Sequence, residues 1–205
     1  MIAIVDYGRG NLGSVEKAFA RVGMDAVVTQ DPRAVADAEA VVLPGDGAFH
    51  DAMLSLEGLG LLPPVRRALL DGRPFLGIRL GYQLLFSESE EFGQGKGLDL
   101  IPGVVRRFPK GLKVPHMGWN QVEHAGDLAI FDGIPRGAYF YFVHSYYPEL
   151  LDGTLGVATC TYGVTFPAAI GKGNLFATQF HPEKSQRWGL RLIENFAAFV
   201  RGERR

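Results

Sequence analysis

The sequence predicts an α/β domain with a central, mainly parallel sheet, helices on both faces and extra β-strands in the C-terminal half. Three observations support this class. Short apolar strands alternate with helical spacing up to about residue 98. Strand-rich segments separated by Gly, Pro or Asp turns follow, and an amphipathic helix closes the chain. Apolar strands alternating with helices favour a parallel sheet that is buried on both faces.

The alternation begins with the strand IAIV at residues 2–5. The next segment predicts a helix that ends at Gly23, because its apolar residues recur at helical spacing: Leu12, Val15, Phe19 and Val22. AVVT and AVVLP are the next two strands, and helical stretches follow around residues 48–56 and 65–70. FLGI, at 75–78, completes the parallel set.

The second half reads as mixed or antiparallel strands added to that sheet. They are GVVRRF, AYFYFVHSYY, TLGVATCTYG, VTFPAAIGKGN and LFATQFHPE, and WGLRLIENFAAFVRG is the closing helix. Because no repeat or long linker interrupts the pattern, we expect a single domain over residues 1–205.

The composition argues against several classes of protein. Of 205 residues, 47% are hydrophobic and 21% charged, with a formal net charge of -1, so no basic surface for nucleic acid is expected. The start, MIAIVDYGRGN, lacks the basic region of a signal peptide, and no apolar run approaches the ~20 residues that span a membrane. The single cysteine, Cys160, excludes an intrachain disulfide and a multi-cysteine zinc site. We expect a cytoplasmic protein without a metal or other cofactor.

A glycine-framed turn in PFLGIRLGYQLLF is typical of a nucleophile elbow between a strand and a helix. The strand ends at Ile78 and helical spacing resumes near Tyr82. Arg79 occupies the tip, between Gly77 and Gly81. A guanidinium stays protonated and offers only hydrogen-bond donors, so it cannot act as the nucleophile.

The segment FHPEKSQ contains a candidate base and its orienting carboxylate. His181 and Glu183 are two residues apart, so on an extended backbone both side chains face the same way. Pro182 favours that extended form for the residue before it. A carboxylate behind an imidazole fixes its tautomer, as in a catalytic triad. A surface histidine beside a solvated glutamate fits the spacing equally well.

Two further segments have both a functional and a plain structural interpretation. In LPGDGAFHDAM, residues 43–53, backbone N–H groups at the turn suit an oxyanion, but a strand-to-helix connection also needs glycine. The loop-like segments VPHMGWN (114–120) and YFYFVHSYYP (139–148) suit a binding or subunit surface, although core packing explains their aromatics as well. His116 and His144 lack a third ligand at regular spacing, which argues against a metal.

The segment GRGNLG, residues 8–13, matches the G-x-G-x-x-G pattern of dinucleotide-binding proteins, and Asp31 follows a second strand. Two residues, Asp6 and Tyr7, separate the first strand from the first glycine, and the Asp6 carboxylate would repel phosphate. The alternative is a turn whose glycines let the backbone pass close to another segment.

Seven segments in order resemble the glutaminase subunit of imidazole glycerol phosphate synthase over nearly the whole chain: DYGRGNLGSV, LPGDGAFHDAM, PFLGIRLGYQLLF, SEEFGQGKGL, PHMGWN, YFVHSYY and QFHPEKSQ. This family consists of class I (triad) glutamine amidotransferases. The resemblance implies a flavodoxin-like fold and hydrolysis of glutamine to glutamate and ammonia. It also implies a partner, a (β/α)₈ barrel known as the cyclase subunit, which receives the ammonia in histidine biosynthesis.

The resemblance also implies roles for individual residues. His181 matches the catalytic base and Glu183 its orienting carboxylate, and the oxyanion strand corresponds to Gly45 and Gly47. The residues matching the glutamine-binding positions are Gln83, His144, Ser145 and Tyr146. Those matching positions that face the cyclase subunit are Asn11, Trp119, Tyr141 and Lys184.

Position 79 departs from the family, which carries its nucleophilic cysteine there, and Asp46 stands where a small apolar residue is more usual. Without a thiolate no acyl-enzyme can form. We expect Arg79 to intrude on the carboxamide position and to disfavour protonation of His181, with a contact to Glu183 partly relieving its charge. The resemblance does not place Cys160 in the pocket.

Three functions remain open at this point. The chain is either the amidotransferase subunit with an inactive glutaminase site, or a non-catalytic partner that docks on a cyclase-like barrel and regulates it. The third, a dinucleotide-binding enzyme, has the least support.

Overall fold

A computed structural model describes residues 1–126, 128–151 and 153–203. Over these residues the strands are β1 Ile2–Val5, β2 Ala26–Thr29, β3 Ala40–Leu43, β4 Phe75–Ile78, β5 Phe86–Ser89, β6 Gly95–Lys96, β7 Ile101–Arg107, β8 His116–Val122, β9 Ala138–His144, β10 Tyr146–Leu150, β11 Gly156–Tyr162, β12 Val164–Lys172 and β13 Leu175–Thr178. The helices are α1 Leu12–Arg21, α2 Pro32–Asp37, α3 Phe49–Gly58, α4 Leu62–Leu70, α5 Leu80–Gln83 and α6 Gln186–Val200, with 3₁₀ turns at Ala129–Phe131 and Pro182–Lys184.

Seven strands form the central sheet, in the order β11-β12-β13-β4-β3-β1-β2. The five strands from β13 to β2 are parallel, and β12 and β11 continue the sheet antiparallel. Every residue of β1, β3 and β4 is buried, as expected for apolar strands covered on both faces. The predicted mainly parallel sheet is confirmed.

Helices cover the two faces of this sheet because alternate strand residues point to opposite sides. Ile2 and Ile4 belong to a core cluster with residues of α1 and α6, whereas Ala3 and Val5 belong to a second cluster with residues of α2, α3 and α4. None of the helices in the described ranges is long and apolar enough to cross a membrane.

The remaining strands form two smaller sheets, which corrects part of the prediction. Of the extra strands, only β11, β12 and β13 join the central sheet. GVVRRF lies in a four-stranded sheet, β10-β7-β5-β6, and AYFYFVH forms a two-stranded sheet with the segment PHMGWN.

The prediction of PHMGWN as a loop is therefore wrong. Residues 116–122 form β8, which pairs in antiparallel register with β9 from His116↔His144 to Val122↔Ala138. Both ends of β8 are buried and its exposed residues alternate, so the segment has the pattern of a half-buried strand in spite of its polar and glycine residues.

Candidate functional site

The elbow has the geometry that its two glycines predict. β4 leads into Arg79, whose φ of 55° and ψ of −113° lie in a region that costs a non-glycine residue ~1–3 kcal/mol, and α5 starts at Leu80. The Arg79 N–H donates to the Thr178 carbonyl at 2.7 Å, which fixes the tip against β13. A Cβ on Gly81 would overlap the Leu43 carbonyl oxygen, so only glycine fits there.

The side chain of Arg79 joins two walls of the site. Its Nη2 donates to the Val143 carbonyl at 2.8 Å, and its Nη1 forms an ion pair with Asp46. The side chain is only 18% exposed, and this burial lowers the pKa of Arg79, an effect that the Glu183 charge opposes. Arg79 pairs with Asp46 in place of the expected contact with Glu183, whose Oε1 lies against His181.

His181 and Glu183 form a buried pair. His181 Nδ1 lies 2.6 Å from Glu183 Oε1, and the two side chains are 4% and 2% exposed. His181 has the extended backbone expected before proline, with a φ of −89° and a ψ of 100°, but the extended form does not continue to Glu183, because Pro182 begins a 3₁₀ turn. Proline suits the first position of such a turn, with its fixed φ and missing N–H. The interpretation as a solvated surface pair is also wrong, and Nε2 is the nitrogen left for proton transfer.

Burial holds His181 in its neutral form. Desolvation lowers the pKa of His181, and the Glu183 hydrogen bond and charge oppose this effect. The Arg79 charge lowers the pKa of His181 further, in the direction expected from the sequence. The imidazole is therefore an unprotonated base at neutral pH.

The turn at 45–47 packs tightly against the elbow. A Cβ on Gly45 would overlap the Tyr7 hydroxyl and lie 2.9 Å from Leu80 Cβ. The Tyr7 hydroxyl donates to the Pro44 carbonyl at 2.9 Å. Gly47 has a φ of 90°, the left-handed region that favours glycine. Both glycines are thus explained by close approach and backbone angle, beside any role of their N–H groups.

The glycine-rich turn at 8–10 also serves close approach. A Cβ on Gly10 would lie 3.6 Å from Gly45 Cα, so this turn packs on the 45–47 turn. The Asp6 carboxylate accepts hydrogen bonds from Gly8 N at 2.8 Å and Gln30 Nε2 at 2.9 Å. An N–H that a dinucleotide phosphate would need is therefore occupied by a carboxylate.

A cleft of ≈ 400 Å³ lies beside the elbow. It brings together most of the residues expected to bind glutamine, and its lining includes Gly47, Arg79, Gln83, Glu91, Arg107, His144, Ser145, Tyr146 and Gln179. Among the described residues, His181 and Glu183 are not part of this lining. Gln83 is buried and its Nε2 donates to the Tyr146 carbonyl at 3.0 Å and to Gln179 Oε1 at 2.9 Å.

A chain of hydrogen bonds runs from β8 to the wall of this cleft. His144 Nδ1 donates to the Tyr146 carbonyl at 2.8 Å, so its Nε2 accepts from His116 Nδ1 at 2.9 Å. Asn120 Nδ2 then donates to His116 Nε2 at 3.2 Å. Burial lowers the pKa of His144 to about 3 and that of His116 to about 4, so both are neutral. His144 supports the cleft wall by this chain.

Two of the four residues expected to face a partner are neighbours in the structure. Trp119 and Tyr141 are register partners in β8 and β9, with ring centroids 5.9 Å apart, and Trp119 is 45% exposed. Asn11 and Lys184 are exposed. Tyr141 is also tied to the base, because its carbonyl accepts the His181 N–H at 3.0 Å.

Comparison with known proteins places this geometry in a family. The model of the class-I glutamine amidotransferases matches residues 3–199. The chain is 55% identical to the imidazole glycerol phosphate synthase subunit HisH of Geobacter sulfurreducens, over 95% of this chain and 97% of that protein. It is 52% identical to the HisH subunit of Methanothermobacter thermautotrophicus, over 98% and 100%. The chain belongs to the HisH family of class-I glutamine amidotransferases.

Solved structures confirm the amidotransferase fold. A glutamine amidotransferase superposes with a TM-score of 0.77 at 19% identity, covering 98% of this chain and 100% of that one. A second glutamine amidotransferase, from Thermotoga maritima, has a TM-score of 0.66 at 19% identity, covering 98% and 84%. At this level of identity the likeness concerns the fold.

Three polar or charged residues of the amidotransferase cleft were not anticipated individually: Glu91, Arg107 and Gln179. Glu91 Oε2 accepts the Phe49 N–H at 2.7 Å, at the start of α3, and burial raises the pKa of Glu91. The segment SEEFGQGKGL, which carries part of the family resemblance, was the available signal for Glu91. Gln179 is likewise part of the segment QFHPEKSQ, whereas Arg107 reaches the cleft through the pairing of β7 with β10 and has no local signal.

Cys160 offers no alternative nucleophile. It is buried in β11, and burial raises the pKa of its thiol to about 12. A thiol with that pKa is protonated at neutral pH and a poor nucleophile. It is also absent from the cleft lining among the described residues.

Proposed function

We propose that the chain is the glutaminase subunit of an imidazole glycerol phosphate synthase, with the cyclase subunit for its partner, and that Arg79 silences its glutaminase step. The family and the names of the two HisH relatives support the first part. One observation carries the second part: a guanidinium, held by Asp46 and Val143, occupies the tip of an elbow whose base is intact.

The proposed mechanism divides between a working half and a blocked half. Glu183 holds the His181 Nδ1–H, which leaves Nε2 to accept and return a proton. In the working reaction a thiolate at position 79 attacks the glutamine carboxamide, and N–H groups of the 45–47 turn stabilise the oxyanion. His181 then protonates the departing ammonia, and water releases glutamate. Arg79 supplies no electron pair for the first step, so the cycle does not start.

Arg79 also changes what the cleft can hold. Its side chain lines the cleft beside Gln83 and reaches across to Val143. A glutamine carboxamide placed at the elbow would have to displace it and leave Asp46 without its cation. Binding of substrate and attack on it are therefore both impaired.

A second candidate function is that of a non-catalytic partner that docks on the cyclase and regulates its use of external ammonia. The exposed Trp119 and the neighbouring Tyr141 favour this candidate, because an exposed aromatic pair can bind a partner without any catalysis at position 79. For either function we propose a single domain over 1–205, supported by the family match to 3–199. A cytoplasmic location is proposed because the relatives are subunits of a biosynthetic synthase.

The test pairs the chain with its cyclase and measures glutamine- and ammonia-dependent turnover separately. The chain as it stands is expected to support ammonia-dependent turnover only. Arg79→Cys is expected to give measurable glutamine-dependent turnover as well. Robust glutamine turnover with Arg79 in place would refute the silenced site. Turnover that stays ammonia-dependent in both variants would favour the docking candidate.

The partner surface has its own test. Trp119→Ala is expected to weaken the complex with the cyclase subunit by ~2 kcal/mol, because exposed tryptophans often dominate interfaces. Leu70→Ala is the matched control, since Leu70 is an exposed apolar residue at the end of α4. Titration calorimetry with both variants measures the difference. Equal affinities would place the partner elsewhere.

A further inference from the structure

We propose that Asp46 and Arg79 act as one unit, and that the Asp46 carboxylate opposes thiol chemistry at position 79 whenever Arg79 alone is replaced. The inference rests on the proposed function for its biological meaning. Its physical content is a charge effect at the elbow, which can be measured on the chain by itself.

The backbone keeps Asp46 close to the elbow. A Cβ on Gly45 would lie 3.2 Å from the Gly81 N and overlap the Tyr7 hydroxyl, so the residue before Asp46 is packed against α5. On the other side, a Cβ on Gly10 would lie 3.8 Å from the Asp46 N. The turn therefore fixes the Asp46 backbone beside the elbow and keeps its carboxylate, which is 38% exposed, within reach of position 79 when Arg79 is shortened.

The charges around position 79 do not compensate for the loss of the guanidinium. Among the described residues, the titratable groups around Arg79 and the 45–47 turn are Asp46, Glu183, Tyr7, Tyr141, His144, His181 and Arg9, whose Nη1 would lie 3.0 Å from a Cβ on Gly47. Arg9 pairs with Asp51 at 3.4 Å, and both histidines are neutral at pH 7 by the burial described above. Replacing Arg79 by a neutral residue therefore leaves two carboxylates without a matching cation, Glu183 and Asp46, and Asp46 is the one that was the ion-pair partner of Arg79.

An unmatched carboxylate nearby disfavours a second negative charge. It raises the pKa of a neighbouring thiol, which lowers the fraction present as the reactive thiolate. The same carboxylate also opposes the oxyanion that would form next to the 45–47 turn, with solvent screening part of its charge because the side chain is 38% exposed. Asp46 thus holds the Arg79 guanidinium in the chain as it stands. In a variant with cysteine at position 79, the same carboxylate disfavours the thiolate.

The experiment compares Arg79→Cys with Arg79→Cys/Asp46→Asn, a change that removes the charge and keeps the size. The rate of iodoacetamide alkylation is followed from pH 5 to 10, with the chain as it stands giving the background from buried Cys160. Without the Asp46 charge, we expect the introduced thiol to titrate about one pH unit lower and to react up to about ten times faster at pH 7.

The matched control is Arg79→Cys/Asp71→Asn. Asp71 is an exposed carboxylate at the end of α4, which pairs with Arg67 at 3.4 Å, so its charge is screened by solvent and its removal leaves Arg9 paired with Asp51. The alkylation profile of this variant should coincide with that of Arg79→Cys. Thermal melting of all variants verifies that each remains folded.

Identical alkylation profiles for Arg79→Cys with and without Asp46→Asn would overturn the inference. So would an equal shift with Asp71→Asn, since the effect would then be general rather than specific to Asp46. In complex with the cyclase subunit, the double variant should turn over glutamine about ten times faster than Arg79→Cys, in step with its larger thiolate fraction. Failure of every variant to form that complex would refute the proposed function and leave the alkylation result standing.

Discussion

The two halves of the candidate site differ in the catalytic groups that they contain. The base half is chemically complete, with His181 and Glu183 buried and 2.6 Å apart. The elbow half has its glycines and its backbone angles, but a guanidinium in place of a nucleophile. The difference shows that the elbow is shaped by backbone packing around Gly45 and Gly81 and does not depend on the chemistry of its tip.

The largest effect should come from removing the base in two backgrounds. In the Arg79→Cys variant bound to the cyclase, His181→Ala is expected to lower glutamine turnover ~10²–10⁴-fold, because the thiol then loses its general base. In the chain as it stands the same change should have no effect, since there is no nucleophile to activate. Steady-state assays of the four variants measure this. An equal loss in both backgrounds would mean that the halves work independently.

A smaller effect, on stability, is expected from a substitution that disturbs the packing of the elbow. Gly81→Ala is expected to destabilise the fold by ~3 kcal/mol or more, because the new methyl group would overlap the Leu43 carbonyl. Gly13→Ala is the control, since Gly13 lies in α1 with no atom within 4 Å of its Cβ position. That change should be neutral or stabilise the chain by up to ~1 kcal/mol. Urea unfolding that gives similar values for both would contradict a packing-defined elbow.

The smallest effect concerns the pH dependence of stability, through the two buried histidines that support the cleft wall. The pKa values of His116 and His144, about 4 and about 3, lie below the ~6.5 of an unfolded chain. The unfolded state therefore binds more protons as the pH falls. Stability should be full above pH 6.5 and fall below it, by at most ~1.4 kcal/mol per pH unit for each histidine.

Urea unfolding at pH 7.5, 6 and 5 measures this slope. His116→Phe keeps the ring stacked on Phe142 and Tyr162 but removes one titrating group, so the slope should fall. The variant should also be less stable at pH 7.5 by ~1–3 kcal/mol, because His144 Nε2 loses its donor. An unchanged slope would show that His116 does not titrate on unfolding.

The parts of the fold that follow from local pattern could be predicted from sequence. Fully apolar strands such as β1 and β3 and the amphipathic α1 have clear periods, and the family was identified correctly from its motifs. The helix α2 was not predicted, because six residues are too few to show a helical period. The strand β8 was missed because its polar residues and Gly118 resemble a loop.

In the site, sequence spacing was sufficient for contacts within one turn and insufficient for those across the sheet. The pairing of His181 with Glu183 was predicted, although the backbone that achieves it was not. The pairing of Arg79 with Asp46 joins the ends of two neighbouring parallel strands, and no local pattern reveals which side chains meet there. The role of His144 as a support through His116 likewise depends on the register of β8 and β9.

The hydrogen bond from Arg79 to Val143 matters for any variant that carries cysteine at position 79. Val143 and Tyr141 lie two residues apart on β9, so Arg79 at the elbow tip and the His181 base are tied to the same strand. Replacing Arg79 by cysteine alone removes the hydrogen bond to Val143 and leaves Asp46 without its ion-pair partner. A variant with cysteine alone would thus be held less firmly at the elbow tip and would carry a less reactive thiol. Efficient catalysis would also need a second change, at Asp46.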